Sequence, residues 1–298
     1  MGDFLRRMVW RLNVLVIASL AGLASSPQLI ERTAINLHPA DKNLFVVAAM
    51  SGLAAGFFFS SSKLLASLDT WLHEYGHAVV AAGLGGKPTK IKLAKDMSGL
   101  TNFNFKSNWK FRSVIVSAAG PLASIFAFVI ATRMALAGTS RFFLLVVFGV
   151  ILAVLFTTVR SGFGWFVGLL AAAITGVSVA LDGGHVPGFQ TTNASLLVLA
   201  ISVSTAAGVG FRESMRRFSW KSADGDEGKI AAALHVPEKL VDFLFVCLHL
   251  VGVALVVMAV NDLAIDWSTF GQTLEELPIW QTISPWLGEF FPEIFSGN

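Results

Sequence analysis

The chain has 298 residues, 54% of them hydrophobic and only 14% charged, with a net charge of +3 and a mean hydropathy of +0.68. An average soluble domain carries about 25% charged residues, so this chain has too few to cover a water-facing surface. A disordered protein, a secreted disulfide scaffold and an ordinary cytosolic enzyme are excluded, and a multi-pass membrane protein with lipid-facing apolar helices remains.

Eight apolar segments are candidates for membrane helices: 9–25, 44–60, 64–84, 113–136, 141–159, 163–180, 194–210 and 238–260. Each approaches the roughly 20 residues that a crossing needs. The expected fold class is therefore all-α, a polytopic transmembrane bundle of seven or eight segments. Residues 1–262 read as one integral membrane domain. Arg6, Arg7 and Arg11 precede the first segment, which reads as a retained helix rather than a cleaved leader. Cys247 stands alone in an apolar run and reads as a small buried hydrophobe.

Charge sorts by loop. Residues 85–112 hold seven Lys or Arg against a lone Asp96, and 211–229 are also basic. Both are expected on the cytoplasmic side, with the N-terminus. This clustering suits topology setting rather than nucleic-acid binding, so the expected partner is the lipid bilayer. Residues 263–298 carry acids and Trp267, Trp280 and Trp286 but no Lys or Arg, as in an interfacial tail on the opposite side. One conflict arises. If 9–25, 44–60 and 64–84 all cross, the Lys-rich loop lands on the wrong side. The 64–84 segment is the expected irregular one, because Asp69, His73, Glu74 and His77 are too polar to face lipid.

Residues 73–77 read His73-Glu74-Tyr75-Gly76-His77. Histidines four apart share a helix face, which suits two nitrogen ligands on one zinc ion. Glu74 lies beside them, ready to take a proton from water. The competing reading is a pair of core histidines, but burying two imidazoles and a carboxylate in a membrane without a partner costs several kcal/mol.

The segment from Leu68 to Phe103 resembles the active-site region of site-2-protease-like intramembrane zinc metallopeptidases. The resemblance is to the bacterial branch, and rests on Thr70, His73, Glu74, Gly76, His77 and Ala78, then Gly85-Gly86, then Ser98-Gly99-Leu100-Thr101. Ala119-Gly120-Pro121-Leu122-Ala123-Ser124 resembles the family's Gly-Pro motif on the following helix; Ser124 stands where relatives often have Asn. Close helix packing with a kink is an equally good reading of Gly120 and Pro121. The resemblance implies a zinc metalloendopeptidase of a bacterial cell membrane, acting on membrane-associated or transmembrane protein substrates.

A catalytic zinc usually has three protein ligands, and the resemblance implies a distal Asp. Asp182 lies in Leu181-Asp182-Gly183-Gly184, which resembles a family motif. Asp224 and Asp226 precede another apolar helix, and the context of Asp226 resembles the Ser-Asp-Ala element of the bacterial branch. Counting crossings from the 85–112 loop puts Asp182 on the opposite face and returns Asp226 to the same face. Asp226 is therefore preferred, then Asp182, then Asp224. His185 and His235 read as loop residues.

Residues 90–93 and 100–106 alternate with period two around a Gly-containing turn, as in a β-hairpin. Beside a metal, its edge would offer an extended substrate a strand to pair with, which the resemblance also implies. A solvated basic loop at anionic headgroups is the competing reading. The leading expectation is a membrane-embedded zinc peptidase with His73, His77 and an Asp as ligands and Glu74 as the catalytic base. The alternative is a pseudoprotease-like protein that binds transmembrane segments without cleaving them.

Overall fold

Apolar runs of bilayer length and the small residues between them set the architecture. The computed structural model describes residues 2–25, 39–96, 98–105, 110–136, 140–181, 194–219 and 225–261. In chain order the elements are α1 (Gly2–Ala24), α2 (Pro39–Phe58), α3 (Lys63–Gly83), β1 (Lys87–Leu93), β2 (Gly99–Asn104), α4 (Lys110–Leu136), α5 (Ser140–Thr157), α6 (Gly162–Leu181), α7 (Ala194–Ser219), α8 (Asp226–Leu234) and α9 (Glu238–Asn261). All eight predicted segments coincide with helices. The tail 263–298, Asp182, His185 and Asp224 lie outside the described residues.

Helices α1, α4, α5, α6, α7 and α9 are each long and apolar enough to cross a membrane, and α2 and α3 form a pair bent by 101°. Counted as one span, that pair brings the total to seven and returns the Lys-rich hairpin to the side of the N-terminus. The bend falls at 59–62, immediately before the segment expected to be irregular. Large side chains such as Phe126, Phe156, Phe166 and Leu250 are exposed around the bundle, as a lipid-facing surface requires.

Small residues let the backbones approach. Gly52 and Gly56 on α2 face α7, where a Cβ at Gly56 would lie 3.0 Å from the Val209 amide nitrogen. Gly208 on α7 faces α2 in return. This is a small-xxx-small interface, the packing that helices use where lipid removes the hydrophobic drive between them. Gly76 on α3 performs the same task against α4, since a Cβ there would lie 2.6 Å from the Ala119 carbonyl oxygen.

The hairpin is antiparallel, pairing Ile91 with Thr101 and Leu93 with Gly99. Ile91 and Leu93 point into a core cluster with Trp10, Trp71, Tyr75 and Val154, which is why the alternation in this stretch is so regular. The outer edge of β1 is also held: the Ile91 amide donates to the Thr158 carbonyl (3.1 Å) and the Arg160 amide to the Ile91 carbonyl (3.0 Å). Among the described residues, no second strand pairs with the outer edge of β2. Cys247 is half-buried on α9 rather than fully enclosed, because that face of the helix borders the exposed Phe243, Leu244 and Leu248.

Candidate metal centre

Helix α3 presents His73 and His77 on one face because they are four residues apart. Their Nε2 atoms lie 3.1 Å from each other. Oδ2 of Asp226, from the first turn of α8, lies 3.0 Å from each of them. These three donor atoms all fall within 4.8 Å of one another. No other such group of three metal-binding side chains occurs among the described residues.

The surroundings hold each group in place. His77 Nδ1 donates to the Val116 carbonyl of α4 (2.6 Å). That bond keeps a proton on Nδ1 and aims Nε2 at the other two side chains. Asp226 is gripped from behind, since the Lys229 ammonium donates to its Oδ1 at 2.9 Å. Burial works against ionisation of Asp226, but hydrogen bonds and charge from His73 and His77 outweigh it and hold the carboxyl below the usual carboxylate range. Helix α8 is itself pinned. Ile230 and Ala231 pack with Val241 and Phe245 of α9 and against Val114 and Ala118 of α4. Buried Glu227 pairs with Arg217 of α7. Loss of one member of such a pair leaves an uncompensated buried charge, at about 3–5 kcal/mol.

The site has room for an ion. A Cβ at Gly120 would lie 2.6 Å from His73 Nε2 and run into the His77 ring. Glycine at this position therefore keeps the space between the imidazoles open. Two imidazole nitrogens and one carboxylate oxygen form the mixed donor set of a catalytic zinc site with an open position, so the residues present fit such an ion. Glu74, only 5% exposed, lies next to this centre under β2. A Cβ on Gly99 would approach its Cδ to 2.7 Å, and the Thr101 hydroxyl donates to its backbone carbonyl at 2.9 Å. Gly99 and Thr101 thus seat the strand directly on the helix that carries the site.

His73, Glu74, His77, Asp226 and Lys229 open onto a cleft of about 900 Å³. Ser98, Gly99, Leu100 and Thr101 form one wall, and Arg212, Glu213 and Arg216 another. The serine at the position noted in the sequence, Ser124, is buried, and its hydroxyl and the Asp69 carboxylate both lie beside Gly210 of α7. His235 ends α8 in a left-handed turn. Lys229, Arg217 and Glu227 were not expected from the sequence. The only local signal for Lys229 is its i+3 spacing from Asp226, while the Arg217–Glu227 pair is tertiary and left none.

A family model described as Peptidase M50B-like matches residues 44–258. This interval runs from α2 into α9 and includes every residue of the centre. Comparisons with curated proteins and with solved structures returned no match.

Proposed function

The chain belongs to the Peptidase M50B-like family, a family of membrane metallopeptidases, and from that premise we propose that it is a zinc endopeptidase acting on membrane-associated or transmembrane protein substrates. The observation that carries this reading is the convergence of His73, His77 and Asp226 Oδ2 beside the buried Glu74. His73, His77 and Asp226 would hold the ion. When bound, zinc supplies Lewis acidity that makes water a nucleophile near neutral pH and polarises a carbonyl.

The remaining work falls to the chain's own groups. Glu74 accepts a proton from the attacking water and returns it to the leaving amine. Its shielding beneath Gly99 and Thr101 keeps bulk water from competing for that proton. Val116 and Lys229 hold His77 and Asp226 in their working orientations. The unpaired edge of β2 accepts an extended stretch of substrate as an added strand. A helix resists cleavage because its carbonyls are already hydrogen-bonded, so pairing with β2 stabilises the opened segment beside Glu74.

Basic residues at the cleft end of the bundle favour an orientation with that end, and the N-terminus, in the cytoplasm of a bacterial cell. A non-cleaving pseudoprotease is not favoured by membership of a peptidase family. The test compares wild type with Glu74→Gln on a membrane-spanning substrate in proteoliposomes, with zinc content measured on both. Glu74→Gln should keep its zinc and lose at least about 100-fold in cleavage rate, the scale of a lost general base. Equal cleavage rates would sink the assignment of Glu74.

A further inference from the structure

The cations along the cleft differ in one respect. Lys229 is tied to Asp226, Arg216 is paired with Glu213 at 2.7 Å, and Arg217 sits between Glu213 and Glu227. Arg212 is half-buried in the same cleft wall. Its hydrogen bond runs to the neutral hydroxyl of Ser60 at the α2–α3 elbow. No carboxylate pairs with it among the described residues. A guanidinium has five donors, so a bond to one hydroxyl leaves most of its capacity unused. Burying a charge without a counter-ion is costly, and the neighbouring arginines on the same helix avoid that cost.

We infer that Arg212 is a substrate subsite that binds a carboxylate in the cleft. This rests on the peptidase reading above. Guanidinium geometry matches a carboxylate through two parallel hydrogen bonds, and the Ser60 contact holds the side chain in one orientation before substrate arrives. Asp96 also lines the cleft, on the hairpin turn, where its carboxylate accepts from the Ser98 amide and hydroxyl. A segment bound in the cleft therefore meets an acid at the hairpin turn and a cation beside the elbow, and Arg212 selects for negative charge where the segment passes it. That charge comes from an acidic side chain or from the carboxyl terminus of the substrate.

The test uses a synthetic decapeptide library varied at each position, made with free-acid and with carboxamide ends. Cleavage by wild type, Arg212→Gln and Arg212→Glu is mapped by mass spectrometry. Binding of the same library is measured on Glu74→Gln and on Glu74→Gln combined with each Arg212 variant. The expected result is at least a tenfold preference of wild type for Asp or Glu over Asn or Gln at one fixed position, or for the free acid over the carboxamide. The two arms separate the two sources of charge. Arg212→Gln should erase the preference and Arg212→Glu should turn it toward Lys or Arg. Arg212→Gln keeps a donor for Ser60, so it reads the effect if the charge reversal fails to fold. The same selectivity in wild type and both variants would overturn the inference. Charge-dependent binding without any cleavage would support the subsite while counting against the peptidase reading.

Discussion

At the scale of single residues, Asp226 carries most of the explanation. Its two oxygens have different tasks: Oδ2 faces the histidines and Oδ1 is held by Lys229. Its place in the first turn of α8, after Gly225, also sets a negative charge against the positive end of the helix. Lys229 is largely exposed, so as a surface ion pair it contributes less than about 1 kcal/mol to stability. As an outer partner of a proposed metal ligand it would count for more, because losing such a partner typically costs 10–100-fold in metal affinity. Lys229→Met is therefore expected to leave the melting temperature in detergent nearly unchanged and to weaken zinc binding about tenfold, the lower end of that range. Competition with a chromophoric chelator measures the affinity. An unchanged zinc affinity would reduce Lys229 to a surface contact.

At the scale of elements, legibility in the sequence followed the range of the interaction. The His73–His77 pair was readable because helical periodicity is local. The hairpin was readable because Ile91 and Leu93 are buried while Lys90 and Lys92 point away, which writes period two into the chain. Asp226 was reached by crossing parity, which needs only helix counts. Gly52 and Gly56 make the α2–α7 interface, but their partner lies some 150 residues away and leaves no mark beside them. The 101° elbow was legible only as a contradiction between charge and helix counting. The free edge of β2 depends on the 158–160 segment occupying β1, a contact between distant parts of the chain. That asymmetry yields a prediction. Side chains and backbone amides alternate along a strand with period two, so a substrate paired with β2 uses the amides of every second residue. N-methylation at successive positions of a cleaved peptide should raise KM at alternate residues, by about tenfold for a lost hydrogen bond of roughly 1–1.5 kcal/mol. Uniform tolerance of N-methylation would show that the hairpin does not pair with substrate.

At the scale of the whole molecule, the contacts assign several helix ends to one side of the bundle or the other. The Trp10 indole donates to Thr158 at 3.0 Å, so the start of α1 lies beside the turn between α5 and α6. That turn bonds to Ile91 of the hairpin, and Thr101 of the hairpin bonds to α3. Arg212 of α7 reaches Ser60 at the elbow. The start of α1, the elbow, the hairpin, the α5–α6 turn and the end of α7 therefore share one end. Arg133 donates to the Ala24 carbonyl at 3.0 Å, which puts the ends of α1 and α4 together at the other. Most of the basic side chains gather at the first end: Arg6, Arg7 and Arg11, the hairpin lysines, Arg160 and the arginines of α7. The centre lies inside the bundle from that end. Gly120 is ten residues into α4, roughly 15 Å at 1.5 Å per residue. The proposed orientation puts this end in the cytoplasm, on the ground of its excess of Lys and Arg. Because Cys247 is the only cysteine in the chain, a Cys247→Ser background gives a clean labelling test. Cysteines placed at Lys95, on the hairpin turn, and at Gly138, between α4 and α5, should then behave oppositely toward a membrane-impermeant maleimide. Gly138→Cys should react in intact cells, and Lys95→Cys only after the membrane is opened. Labelling of both from the same side would break the seven-span count, because α4 alone separates them. The reverse pattern would keep the fold but turn the cleft outward, and would move the proposed substrates to the other face of the membrane.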